Sequence, residues 1–193
     1  YACPDLLIGS DEGLSLMKNL GLGDFEQSFM AQGNRVTSIQ TLDLLGNNRT
    51  DLVFVEDDQL KVSLGLPDGF GAPTLAITEQ SELVDVPSGS PDRPEKSGVV
   101  EPFYFGADGS PTLIVGEANQ PYAFQLKHRE LDNDPKVVFD VINVLELALD
   151  SGVQSLQVLD LDRRIDVVEF RFFQPEGKDV VNEDVHLFDE VKF

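Results

Sequence analysis

Four short apolar runs, each preceded by a turn and each the length of one buried strand, recur along this chain and constrain its fold more than any single residue. They are PDLLIG at Asp5, NNRTDLVFV at Asp51, SPTLIVG at Thr112 and RRIDVVEF at Asp166, anchors 46, 61 and 54 residues apart. Spacings of this size point to propeller blades or another β array, in which each unit buries its apolar face against the next. Around the anchors, runs of Val, Ile, Leu and Phe are split by Gly, Asn, Asp and Pro, the pattern of antiparallel strands joined by tight turns. The first unit pairs residues 6–9 with 14–18 across SDEG, and the second pairs 52–55 with 60–64 across EDDQ. The third pairs 112–115 with 122–126 across GEANQ. The fourth runs from 167 to 173, turns at QPEGKD and ends in a strand near 186–193. A further apolar stretch precedes each of the last three pairs, at 36–42, 99–105 and 156–159. Three or four strands per unit is the content of a propeller blade.

These readings divide one domain into units of about residues 1–33, 34–80, 98–136 and 137–193. A chain of 193 residues has room for one substantial core and not for two large domains. The Pro-, Ser- and charge-rich segment 81–97 is a loop that lengthens the second step. The stretch 141–149, VINVLELAL, reads as a strand because β-branched residues lead it.

Charge narrows the classes of partner. Thirty-five acidic against 14 basic residues leave a net charge of −21. Such a surface repels nucleic-acid phosphates and anionic membranes, and it suits cations, a salty medium or a basic protein. A solvated acidic face that serves solubility alone is the plainer reading. Carboxylates crowd at Asp160, Asp162 and Asp166 and again at Asp179, Glu183 and Asp184. A lone Cys3 leaves no internal disulfide and no cysteine-built zinc site. No run approaches the roughly 18 apolar residues that a spanning helix needs.

An enzyme is not expected. The two histidines, His128 and His186, have no second histidine at metal-ligand spacing, and no nucleophile elbow, P-loop or dinucleotide fingerprint is present. The lack of Trp weakens a sugar-stacking site, although Tyr104, Tyr122 and 13 Phe residues leave one open.

The segment TLDLLGNNRTDLVFVEDDQLKVSLGLPDGFGAP resembles an FG-GAP or VCBS repeat, the unit of integrin-α-like β-propellers. That family's pattern is a strand, a D-x-D-G-D-G-x-x-D loop, a second strand and a Gly-rich turn ending in Phe. On this resemblance Asp43, Asn47 and Asp51 take the first, fifth and ninth loop positions. Gly69 and Phe70 supply the turn, and Gly23 and Phe25 repeat it in the first unit. The resemblance implies calcium, held by oxygens at alternate loop positions. Departures are visible: Leu45 stands where a third-position carboxylate belongs, and the fourth loop keeps Asp160, Asp162 and Asp166 but is two residues short. The third unit keeps Asp108 alone. The competing reading is that these aspartates cap turns with their side chains. Asn48, Arg49 and Thr50 also form an N-x-T glycosylation triplet, which would set a glycan on the same loop.

The expectation is therefore an all-β chain, a β-propeller-like array of about four antiparallel blades of the FG-GAP/VCBS type. Four units are fewer than this family's usual ring, so the array is expected to be a partial propeller completed by another chain. Closure by its own C-terminus, or a place within a longer propeller, are the alternatives. The resemblance implies a secreted or cell-surface adhesion module that binds a protein partner or glycan without a chemical step. A structural subunit of a larger extracellular assembly is the second reading, and an accessory carbohydrate-binding domain of a polysaccharide-active enzyme the third. The contact surface is expected on the loop-bearing face, at 43–51 and 160–166, with the 81–97 loop adding specificity.

Overall fold

The computed structural model of this chain describes residues 4–84, 91, 94, 97–104, 111–117, 122–132, 136–146, 155–160, 165–172 and 183–187. Of these, 29, 99, 101–104, 117, 145–146, 155–160, 165–172 and 183–187 are described by their backbone alone. Every helix or strand among the described residues is a strand, and every sheet is antiparallel. The first sheet has the order β1 (Leu6–Ser10), β2 (Gly13–Gly21) and β3 (Asp24–Gln32). The second has β4 (Val36–Leu42), β5 (Asp51–Glu56), β6 (Gln59–Ser63) and, beyond a small ribbon of β7 (Gly65–Leu66) and β8 (Gly69–Phe70), the short β9 (Thr74–Leu75). The third is β10 (Ser97–Tyr104), β11 (Pro111–Glu117), β12 (Tyr122–Glu130) and β13 (Val137–Glu146). The fourth is β14 (Ser155–Asp160), β15 (Ile165–Phe172) and β16 (Glu183–Leu187).

The three hairpins expected at β1–β2, β5–β6 and β11–β12 form, while in the fourth β15 pairs with a strand at 183–187 and not at 186–193; in the first two, the turn chemistry explains why. In β5–β6, Asp57 and Asp58 have φ of 47° and 62°, the two left-handed residues of a turn whose twist matches that of the strands. Aspartate tolerates this conformation, and here Arg35 holds it: its backbone N–H donates to Asp57 Oδ1 at 2.9 Å and its guanidinium meets Asp58 at 3.2 Å. The β1–β2 turn, closed by Ser10 and Gly13, lies 46 positions earlier in an equivalent register.

Two elements differ from the sequence reading. The segment read as the Gly-Phe tail of the first unit is a turn at Leu22 and Gly23 followed by the nine-residue strand β3. A bulge opposite Leu14 and Ser15 interrupts its alternation, and Met30 and Ala31, adjacent in sequence, both pack on the core. The stretch assigned to the start of the fourth unit is also placed differently. Residues 137–146 form β13, the last strand of the third sheet, so the next sheet begins at Ser155. Residues 147–149 of that stretch, the 118–120 and 174–179 turns, residues 188–193, Cys3 and most of the 81–97 loop lie outside the described residues.

The chain falls into two compact units, residues 1–81 with 128–139 and residues 82–127 with 140–193. In the first, Leu14, Val36, Leu52 and Phe54 form a buried cluster covered by Leu7, Met30, Ala31, Ile39 and Phe70. Strand β5 reads DLVFV without alternation because both its faces are covered; Leu52, Val53, Phe54 and Val55 are all fully buried. Gly9 marks where β1 meets β4: a Cβ there would stand 3.0 Å from the carbonyl oxygen and side chain of Val36 and from Ile39. In the second unit Val100, Leu113, Ile114, Val115, Ala123, Phe124, Leu126 and Val141 are buried. There residues 82–84 run beside β13: Val141 N–H donates to the Glu82 carbonyl at 2.9 Å and Val84 N–H to the Val141 carbonyl at 2.8 Å. Asp140 adds a bond by accepting the Glu82 N–H at 2.7 Å.

Candidate functional site

The loop between β4 and β5 is organised by its own side chains. Asp43 Oδ1 accepts the Asn47 N–H at 3.0 Å, and Oδ2 accepts the Asn48 N–H at 2.8 Å. Asn47 Oδ1 accepts the Arg49 N–H at 3.0 Å. These nested side-chain turns need two left-handed residues, Gly46 (φ 64°) and Asn48 (φ 59°). Asn48 is exposed on the loop, as an acceptor of a glycan would have to be.

Asp51 sits at the loop's end with a different set of contacts. It is fully buried, its Oδ2 accepting the Leu44 N–H at 2.9 Å and its Oδ1 the Gly65 N–H at 2.7 Å. A buried carboxylate is tolerable when both oxygens are occupied by donors. Gly65 must be glycine for this arrangement, because a Cβ there would collide with the Thr50 carbonyl. Asp51 thus ties the loop, the start of β5 and the start of β7 together.

Calcium requires six to eight oxygens converging on one point. Of the three positions that the resemblance assigns, Asp51 is turned inward onto amides, while Asp43 and Asn47 accept backbone protons within the loop, which also carries the side-chain oxygens of Asn48 and Thr50. With Asp43 the loop's one remaining carboxylate, this donor set fits the ion poorly. Among the described residues no three His, Cys, Asp or Glu side chains group as ligands. In the fourth sheet the backbone sets Asp160 and Asp166 at the turn end of one hairpin, Asp160 opposite Ile165 and Asp166 opposite Leu159. Asp162, between them, and Asp108 of the third unit lie outside the described residues.

Beside the 43–51 loop the first unit contains a cleft of about 720 Å³ between its two sheets. Its apolar wall is Leu7 and Leu16 from the first sheet, Ile39 from the second and Phe70 from the β7–β8 ribbon; its polar lining includes Asp5, Lys18, Thr41, Thr50 and Asp68. Thr50 belongs to the loop itself, so loop and cleft share a wall. Asp5 also has a structural contact, accepting the Asn19 N–H at 2.7 Å. Among the described residues no histidine or cysteine lines the cleft. Sequence reading found the loop and missed the cleft, whose lining comes from separated segments that no local pattern connects. An apolar trough with charges at its margin holds extended chains and mixed-polarity ligands by shape and a few directed contacts.

No protein-family model, no curated protein and no solved structure matches this chain.

Proposed function

We propose that this chain is a non-catalytic binding module of the extracellular space or cell surface. In this reading it is a β-propeller-like array of FG-GAP/VCBS-type blades that recognises a protein partner. The observation that carries the reading is the cleft. It has an apolar trough with charged residues around it, next to a loop that internal hydrogen bonds hold in one shape. A preformed surface of this kind loses little entropy when a partner docks. The blade reading draws support from the equivalent hairpins of β1–β2 and β5–β6. It draws more from the approach of one sheet's leading strand to the next in the second unit, β10 to β14.

Panning displayed random peptides against the protein tests this reading. Enriched peptides are expected to weaken at least tenfold, about 1.4 kcal/mol, on Thr41→Arg, which projects a long charged chain into the cleft from an exposed position. Peptides that ignore the substitution, or hits confined to a glycan array, would replace it with a different surface or with the carbohydrate-binding alternative. A second reading, a structural subunit of a larger assembly, is favoured by one observation. Leu6, Ile8 and Phe25, exposed by 48%, 46% and 39%, share one face of the first sheet. Sedimentation of the purified chain as an oligomer at micromolar concentration would favour that reading.

A further inference from the structure

Strand β1 has the sequence of a central strand and the position of an edge strand. DLLIGSDEGL at Asp5 matches DLVFVEDDQL at Asp51, with Asp, Leu, Asp and Leu identical at four positions and the turn at the same place. Yet β5 is paired on both sides and wholly buried, as is the described part of β11, whereas among the described residues β1 is paired with β2 alone, and it is mostly exposed. Among the described residues no strand fills against β1 the position that β4 fills against β5.

Antiparallel ladders alternate bonded and unbonded pairs. Counting back from the two-residue turn closed by Ser10 and Gly13, the N–H and C=O groups of Leu7 and Gly9 point away from β2 towards the free edge. The same count in the second sheet directs Val53 and Val55 at β4, where they face Gln40 and Ser38. The other edge of the first sheet, β3, carries Asp24 and Glu26, charges that discourage pairing; β1, LLIGS, carries none. Along β1 lies the cleft, with Leu6 and Leu7 in its lining.

We propose that the free edge of β1 accepts an extended, basic segment of a partner protein as an added antiparallel strand, with alternate side chains of that segment filling the cleft beside Leu7, Leu16, Ile39 and Phe70. This inference rests on the binding-module reading and names its ligand class. Backbone pairing supplies affinity and the cleft supplies selectivity. The charge of the segment follows from its surroundings: residues 4–32 hold Asp5, Asp11, Glu12, Asp24 and Glu26 against Lys18 alone, and Asp68 adds a carboxylate to the cleft.

The chain supplies its own template for a probe, NRVTSIQTL, residues 34–42, which is the segment that pairs with β5. A synthetic copy ending in two lysines is titrated against the intact protein by fluorescence anisotropy. N-methylation at the positions of Ser38 and Gln40 is expected to weaken binding at least tenfold; methylation at Ile39 and Thr41, on the opposite edge, is expected to change it less than twofold. A version with glutamates for the lysines and for Arg35 is expected to bind at least fivefold more weakly. Hydrogen exchange is expected to show the Leu7 and Gly9 amides open in the free protein and slowed by the probe. Equal effects of both methylation patterns would overturn strand addition while leaving the cleft as a binding site. Amides of Leu7 and Gly9 already slow in the free protein would mean that the edge is filled within the chain, and would also overturn it. Failure of this probe and of every panned peptide would remove both this inference and the binding-module reading.

Discussion

At Asp51 a residue that resembles the last ligand of a calcium loop is instead the anchor of two chain segments. Removing its carboxylate strands two buried donors, the amides of Leu44 and Gly65. Asp51→Ala is therefore expected to cost about 2–4 kcal/mol in urea unfolding. Asp51→Asn is expected to cost less, since its amide oxygen still serves one of the donors. Asp43 is more exposed and caps its own loop, so Asp43→Ala is expected to cost about 1 kcal/mol. Calcium should shift the melting temperature of the wild type and of Asp43→Ala by the same amount. A shift present in the wild type and lost in the variant would restore the loop as a metal site. The sequence made both aspartates visible. What it left open was whether the oxygens face an ion or an amide, since that depends on Gly65, fourteen residues away.

Hairpins are the element at which sequence and structure agree best, because a two-residue turn and its flanking strands are specified within about a dozen residues. The β2–β3 turn is an informative exception. Leu22 adopts φ 58° and is wholly exposed, a conformation that costs a branched apolar side chain roughly 1 kcal/mol or more. Leu22→Asn would place Asn-Gly in this turn and is expected to stabilise the protein by about 0.5–1 kcal/mol, measured as a higher urea midpoint at unchanged slope. The same turn hid β3 from sequence reading, because Gly23 and Phe25 match the Gly-Phe element of the resemblance while serving as an ordinary hairpin connection. Strand β13 was legible as a strand, but its sheet was not. Alternation and β-branched residues declare a strand; they do not say which neighbour it pairs with.

Over the whole molecule the dominant electrostatic fact is the net charge of −21. Self-repulsion opposes the compact state and is screened by salt. Raising NaCl from about 10 mM to about 150 mM should therefore raise the melting temperature by a few degrees, at an ionic strength where the Debye length has fallen to about 8 Å. Insensitivity to salt would mean that the carboxylates are spread too evenly to repel. The core opposes that repulsion. Phe54, fully buried between the first two sheets, is expected to cost about 3–5 kcal/mol on truncation to Ala, whereas the exposed Phe25 should cost much less.

The sequence by itself determined what is local: an all-β chain, the hairpins of the first three units and the acidic surface. Each follows from residues near one another in the chain, where sterics and alternation act directly. Only the tertiary structure decided that β13 completes the third sheet, that Asp51 points inward, that a cleft opens beside the 43–51 loop, and that β1 is left at an edge. These depend on which distant segments come together. Sheet pairing uses main-chain groups that every residue shares, so the choice of neighbour is made by packing across the whole fold and not by any local pattern.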